Sequence, residues 1–317
     1  MQIPVRNDFW SDKRVVVTGA TGFIGWWVVD YLGYLGATIG TCSLTQPSDC
    51  QCDLSTPTGT AKFQLFLESD PPDVVIHLAA QPIVDYAAER LNETIETNIM
   101  GAVNVLSACR SVKSIQSILF VSTDKVYGNT PVITNRSIPM GVEHPYNASK
   151  LAGDILAQMF AYTFNLPITI IRHGNVYGAH DRHLERIIPK TCKLAWEGKS
   201  PIIRGDGKAL RDYIHAHDIA RAYAKIIETE WGKVGSIYNL GAKSPTSVQE
   251  VIDTVLKVTQ HIELAPVFTE QLQGEIPNQH IVDPASAEKI DWKPLVDLEE
   301  GIALTAPYYK EITWTPR

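Results

Sequence analysis

Residues 15–25 read Val15-Val16-Val17-Thr18-Gly19-Ala20-Thr21-Gly22-Phe23-Ile24-Gly25, and from Trp26 the chain continues as an apolar, helix-length stretch. An apolar strand running into three spaced glycines that open a helix is the context of a dinucleotide-binding turn. Gly19 allows the tight turn. Gly22 lets the backbone approach a pyrophosphate, and Gly25 lets the helix pack close to the strand with its first N–H groups aimed at the anion. Phe23 and Ile24 lie between the last two glycines and are expected against the same dinucleotide.

Working outward, short apolar runs alternate with helix-length segments. Strands are predicted at 14–18, 37–42, 73–78, 117–123 and 167–172, and helices at 24–35, 60–69, 94–110 and 147–164. This alternation predicts an α/β fold with a doubly wound parallel sheet of Rossmann-like type and right-handed crossovers. In 94–110, Ile95, Ile99, Val103 and Leu106 fall at helical spacing and are expected to face the sheet. After residue 173 prolines and clusters of His and Arg become frequent. The expected organisation is a dinucleotide-binding domain over 1–172, to which 218–240 returns, with 173–317 forming mainly a smaller C-terminal substrate-binding lobe. Helices are expected at 218–229 and 247–259 and a further strand at 236–240.

The 317 residues are 44% hydrophobic and 20% charged, an ordinary globular composition. The net charge of −7 offers no basic surface for nucleic acid or an anionic membrane. No apolar run approaches the roughly 20 residues that span a bilayer. Met1 to Trp10 lacks the apolar core of a secretory signal, so a cytoplasmic location is expected. The five cysteines, 42, 50, 52, 109 and 192, include one close pair but no second pair at zinc-ligand spacing, and reduced thiols with no metal site are expected. Histidines 180, 183, 215 and 217 read as loop histidines rather than metal ligands.

An acid about 20 positions past the glycines would hold the adenosine ribose of NAD, and a nearby Arg would accept the extra phosphate of NADP. Here 40–44 read Gly40-Thr41-Cys42-Ser43-Leu44, without that acid, and no Lys or Arg occurs between Val15 and Ala61. A 2′-phosphate would find no local cation, which favours NAD, with Ser43 as the ribose contact. Asp53 is a candidate acceptor for the adenine amino group; a solvated turn aspartate is the other reading.

Tyr146 and Lys150 stand at i and i+4, on one face of a helix starting near Pro145. A free tyrosine titrates near 10, too high for a base at neutral pH. A fixed ammonium beside it favours the phenolate, so Tyr146 is expected as acid/base and Lys150 as the charge that tunes it. The preceding strand exits as Phe120-Val121-Ser122-Thr123-Asp124-Lys125. Thr123 is placed to hydrogen-bond a reacting oxygen, and Asp124 with Lys125 to form an acid/base pair or, on the alternative reading, a solvated cap.

These residues, with Asp53-Leu54 and His77-Leu78-Ala79-Ala80, resemble the extended short-chain dehydrogenase/reductases that act on nucleotide sugars. Gln81-Pro82, Thr97-Asn98-Ile99-Met100-Gly101, Thr123-Asp124-Lys125 and Gly174-Asn175-Val176 make the sequence most similar to the CDP-glucose 4,6-dehydratase branch, over roughly residues 8–225. The resemblance implies NAD held by the glycine turn, Ser43, Asp53, Leu54, Leu78, Ala79, Ala80, Asn98, Tyr146, Lys150 and His173. It implies a nucleoside diphosphate sugar held by Gln81, Asn175, Arg204 and Arg211, and a homodimer or higher oligomer. The implied reaction oxidises C4 of the sugar and then eliminates water across C5 and C6. Many sugar dehydratases carry a glutamate where Lys125 stands. The segment 278–283, Asn278-Gln279-His280-Ile281-Val282-Asp283, lacks an arginine common in the family. An epimerase or 4-keto reductase on the same scaffold is the alternative, and a non-catalytic nucleotide- or RNA-binding module the third.

Overall fold

The computed structural model describes residues 8–270, 276 and 278–312. Met1 to Asn7, the greater part of the Met1–Trp10 segment, and the last five residues lie outside them. In chain order the elements are β1 (Arg14–Thr18), α1 (Phe23–Leu35), β2 (Thr38–Ser43), β3 (Cys50–Gln51), α2 (Pro57–Ser69), β4 (Val74–His77), α3 (Gly101–Ser111), β5 (Ser117–Val121), α4 (Pro145–Phe164), β6 (Ile168–His173), α5 (Ile187–Trp196), α6 (Ala216–Thr229), β7 (Ser236–Leu240), α7 (Val248–Thr259) and α8 (Leu298–Glu311).

The seven strands form one parallel sheet in the order β7-β6-β5-β4-β1-β2-β3. Alternate side chains of each strand project to opposite faces. Val15 and Val17 join Val28 and Leu32 of α1 and Ile219 and Tyr223 of α6. Val16 joins Phe63 and Leu67 of α2, Val105 of α3 and Phe160 of α4. Both faces are therefore covered, which explains why the strands read as near-continuous aliphatic runs. From β1 the chain winds outward through β2 and β3, then returns to β4 and winds the other way. The reversal leaves a crevice beyond the carboxyl ends of β1 and β4, where ligands bind in such sheets.

A smaller group of helices, α5, α7 and α8, packs around Ile188, Val251, Val255, Ile302 and Tyr309. Tyr309 donates to the carbonyls of Gly178 (3.2 Å) and Asp181 (3.0 Å), and Trp27 of α1 donates to Ala179 O at 2.9 Å. These bonds fix the segment after β6 against both the helical group and the sheet. Among the described residues no helix is long and apolar enough to cross a membrane.

Two local expectations are corrected, and one short strand is added. The 94–110 helix is broken by a π-turn, Glu96–Met100, ahead of α3. That wider turn shifts the phase of the buried stripe: Thr94, Asn98, Ala102 and Val105 face inward, while Ile95 is exposed. The strand predicted to reach 123 ends at Val121, because Thr123 accepts from Lys125 N (3.3 Å) and starts a 3₁₀ turn, Asp124–Tyr127. The two-residue edge strand β3 was too short for its pattern to register.

A Cβ on Gly25 would lie 2.2 Å from Gly19 O, inside the turn, whereas one on Gly33 would meet nothing within 4 Å. Gly25→Ala should therefore cost about 3 kcal/mol through forced displacement. Gly33→Ala should add about 0.5–1 kcal/mol by removing helix-interior glycine. Urea denaturation of the two variants should move in opposite directions; equal effects would refute the close contact.

Candidate active site

Gly19 adopts φ +70, and a Cβ there would lie 2.8 Å from Ala79 N. The glycine turn thus lies directly against Leu78-Ala79, and the amide of Ala79 reaches Thr18 Oγ1 at 3.3 Å. Thr18 Oγ1 is also 2.8 Å from His77 Nδ1. Burial pulls His77 down to about 3, so it is neutral and ties β1 to β4 without charge. Gly22 caps α1, whose first turn opens on the crevice. Ser43 Oγ accepts from Thr21 N at 3.0 Å, which holds the end of β2 to the turn. Asp53 is exposed, and its Oδ1 accepts from Ser55 N (2.9 Å) and Ser55 Oγ (2.7 Å), as a turn aspartate does. Leu54 is buried, its carbonyl accepting from Asn104 at 2.9 Å.

Asn98 lies in the π-turn and clamps the loop after β4 to α4. Its Oδ1 accepts from Gln81 N at 2.7 Å, and its Nδ2 donates to Gln81 O (3.1 Å) and Ser149 Oγ (2.9 Å). The Gln81 side chain is also committed: Nε2 donates to Ile83 O (3.0 Å) and Thr94 Oγ1 (3.1 Å), while Oε1 accepts from Ile83 N. Asn98 and Gln81 thus shape the rim of the crevice.

The candidate reacting groups gather where β5 and β6 end. Helix α4 starts with Pro145 after an N-cap at His144, whose Nδ1 accepts from Tyr146 N at 3.2 Å. Burial pushes the half-buried Tyr146 phenol up to about 12; Arg186 pulls it down, Asp124 pushes it up and a hydrogen bond with Thr123 pulls it down. Lys150 is buried and donates to Val121 O at 2.8 Å; burial pulls it down to about 8, against the pull of Asp154. The Arg186 guanidinium thus favours the phenolate, while the Lys150 ammonium bonds the end of β5.

Thr123 donates to Asp124 Oδ1 at 3.0 Å, and Asp124 Oδ2 holds Lys125 Nζ at 3.0 Å. Asp124 is 3% exposed, so the reading of a solvated cap does not describe it. Lys125 Nζ also donates to Oε1 of the fully buried Gln279, whose Nε2 donates to Gly128 O at 3.0 Å. His173 Nδ1 is 2.8 Å from Gly174 O, while its Nε2 is buried with no partner. Ser122 Oγ is a second buried polar atom without one.

In the half after β6, Asn175 opens a short strand, Asn175–Tyr177, paired with Tyr213–His215. Arg204 is exposed and 4.0 Å from Asp85. Arg211 donates to the carbonyls of Leu210 (2.8 Å) and Ile276.

Three residues escaped the sequence reading. Arg186, ion-paired with Asp181 at 3.0 Å, and Gln279 come from distant segments that no spacing rule connects to Tyr146 or Lys125. Asp154 was accessible: it stands four residues past Lys150 on the same helical face. It is fully buried and held bidentately by Arg172 at 2.7 and 2.9 Å.

A family model described as the NAD dependent epimerase/dehydratase family matches residues 15–241. The chain belongs to that family. It is 31% identical to the dTDP-glucose 4,6-dehydratase of Neisseria meningitidis serogroup B, over 95% of each chain. It is 27% identical to the dTDP-D-glucose 4,6-dehydratase of Homo sapiens, over 94% of this chain and 90% of that one. Among solved structures, UDP-glucose 4-epimerase of Thermotoga maritima with UDP-glucose superposes with a TM-score of 0.85 at 25% identity, covering 94% of this chain and 99% of that one.

Lys150 lies below its ordinary 10.5, so the unfolded chain binds more protons between about 8 and 10.5 and this group's share of stability rises with pH across that window. Lys150→Met removes a buried charge that opposes folding by about 3 kcal/mol below pH 8, less about 1 kcal/mol for the Val121 hydrogen bond. Urea unfolding should show the variant ahead at pH 7 and without that gain by pH 10.5. A pH-independent difference would refute the burial cost.

Proposed function

We propose that this chain is a nucleotide-sugar 4,6-dehydratase whose substrate is a pyrimidine nucleoside diphosphate hexose. The observation that carries this reading is the ion pair of buried Asp124 with part-buried Lys125, held by Gln279, beside Tyr146 at the carboxyl edge of the sheet. An epimerase needs the tyrosine and the cofactor but has no use for an elimination pair. The dehydratase names of the relatives support the same reaction, and their dTDP substrates, with the CDP-glucose likeness of the sequence, point to a pyrimidine base.

NAD is the cofactor, and when bound it would supply the redox chemistry at C4 and C6. The residues fit it: the glycine turn against Ala79, the α1 N-terminus, the absence of any cation in the second strand, and the unpartnered buried Nε2 of His173 at the crevice. Tyr146 takes the proton of the C4 hydroxyl, with Thr123 on the same oxygen and Arg186 favouring the phenolate. The resulting ketone acidifies C5–H. Lys125 takes the C5 proton and Asp124 gives one to the departing C6 oxygen, which leaves as water. The pair must therefore exchange one proton first, from ammonium to carboxylate. Desolvation of both ions beneath a bound sugar lowers the cost of that exchange. Asn175, Arg204 and Arg211 are assigned to the sugar and diphosphate, for which guanidinium forks are suited. Ile155, Met159 and Tyr162 of α4 with Ile95 and Met100 form an exposed apolar face suited to a homodimer.

Incubation with CDP-, dTDP- and UDP-glucose should yield a 4-keto-6-deoxy sugar from at least one. A 4-epimer without water loss would replace this reading with the epimerase. Tyr146→Phe should lower kcat about 10³-fold while NAD stays bound; activity within a few-fold of the parent would remove the phenol from the chemistry. Asp124→Asn should slow dehydration more than C4 oxidation, measured as exchange of C4 deuterium into the cofactor. Equal slowing of both would argue against its acid role.

A further inference from the structure

The three cysteines of the second and third strands meet in the fold. Cys42 near the end of β2 lies directly opposite Cys50 of β3 in the parallel register. Cys52 follows two residues on, its side chain on the same face as Cys50, with its amide donating to Ser43 O at 3.0 Å. Sequence spacing could not show this, because Cys42 approaches the other two only through strand pairing. All three thiols are free and buried, and their sulfurs lie within 4.8 Å of one another. Cys42 Sγ is 3.5 Å and Cys50 Sγ 3.7 Å from Cys52 Sγ.

Buried cysteines often serve as small apolar side chains, and Phe63 and Leu67 of α2 do border this cluster. Apolar filling alone does not require the three sulfurs to converge. A zinc ion with Zn–S bonds of about 2.3 Å sets neighbouring sulfurs about 3.8 Å apart in a tetrahedron and about 4.0 Å apart in a trigonal plane. The separations of Cys52 Sγ from the other two, 3.5 and 3.7 Å, lie within a few tenths of the tetrahedral edge, and the third is within 4.8 Å. One face of a tetrahedron is thus already assembled by the strand pairing. Cys52 is the least buried of the three, at 8% exposed against 0% and 2%, so water approaches the cluster most readily at that residue.

We propose that Cys42, Cys50 and Cys52 form a three-sulfur site for one thiophilic divalent cation of the zinc class, with a solvent ligand in the fourth position. As each S–metal bond forms, the thiol proton leaves to solvent, so no oxidant or reductant is involved. The site lies outside the elimination machinery. It adjoins Ser43 and Asp53, each one residue past a ligating cysteine, and an ion there would brace the strand ends at the adenosine side of the crevice.

The test uses the full chain, reduced with a phosphine, stripped of metal and titrated with zinc against a chromophoric chelator, with cadmium as a spectroscopic probe. One zinc per chain is expected, together with a sulfur-to-cadmium charge-transfer band. Cys42→Ala, Cys50→Ala and Cys52→Ala should each weaken binding by at least the roughly tenfold that even outer-sphere partners supply. Cys109→Ser and Cys192→Ser should bind as the parent does. Substoichiometric zinc with no charge-transfer band in the parent protein would overturn the proposal, whether or not the variants fold. Equal affinity of parent and Cys42→Ala would overturn it too.

Discussion

The approach of the Gly19 carbonyl to Gly25, and of Gly19 to Ala79, is the contact on which the rest of the molecule is arranged. It seats the first turn of α1 against the end of β1 with no side chain between them. It also brings the loop after β4 against the same turn. The crevice between the two halves of the sheet is therefore lined by backbone, and its donors are the amides of a helix start. A wider turn would move α1 outward, and with it Trp27, whose indole holds Ala179 and so the segment leading to the helical lobe.

A second constraint runs along α4. Tyr146, Lys150, Asp154 and Gln158 follow at intervals of four, and the middle two turn their side chains to the sheet, Lys150 to Val121 of β5 and Asp154 to Arg172 of β6. Gln158 donates to Asp154 Oδ1 at 2.9 Å, and Arg172 grips both oxygens of the same carboxylate. Burying such a pair is costly, and it survives only where geometry and further hydrogen bonds compensate. Here Arg172 also donates to Tyr127 at 2.7 Å, and Tyr127 to Asn239 at 2.7 Å, so the charges end in a satisfied chain. That chain reaches Lys150 from behind and keeps its ammonium from being lost to burial altogether.

The fold was legible because each strand of a parallel sheet buried on both faces must be apolar throughout, and each turn must carry glycine or a cap where the chain reverses. β1, α1, β5, α4 and β6 were read within a few residues for this reason. The π-turn at Glu96–Met100 was not, since one added residue leaves no trace in an apolar pattern except a shift of phase. The site was legible where chemistry lies within one element: Tyr146 with Lys150 on α4, Thr123 to Lys125 after β5. It was not legible where partners come from distant segments. Arg186, Gln279 and the meeting of Cys42 with Cys52 each depend on pairing or packing between elements that composition and spacing do not connect.

That distinction bears on Lys125. In isolation an Asp-Lys dipeptide at a strand end is an ordinary surface pair, worth little. Three features change its character: Asp124 is buried, Gln279 accepts a hydrogen bond from the ammonium, and the tyrosine beside it feels the carboxylate. Gln279 cannot take a proton from Lys125, so it fixes the position of Nζ without deciding its charge. The charged partner is Asp124, whose Oδ2 meets the ammonium while Thr123 donates to its Oδ1. One contact of 3.0 Å thus joins a buried carboxylate to an ammonium, and the neutral glutamine holds that ammonium in register beside the tyrosine.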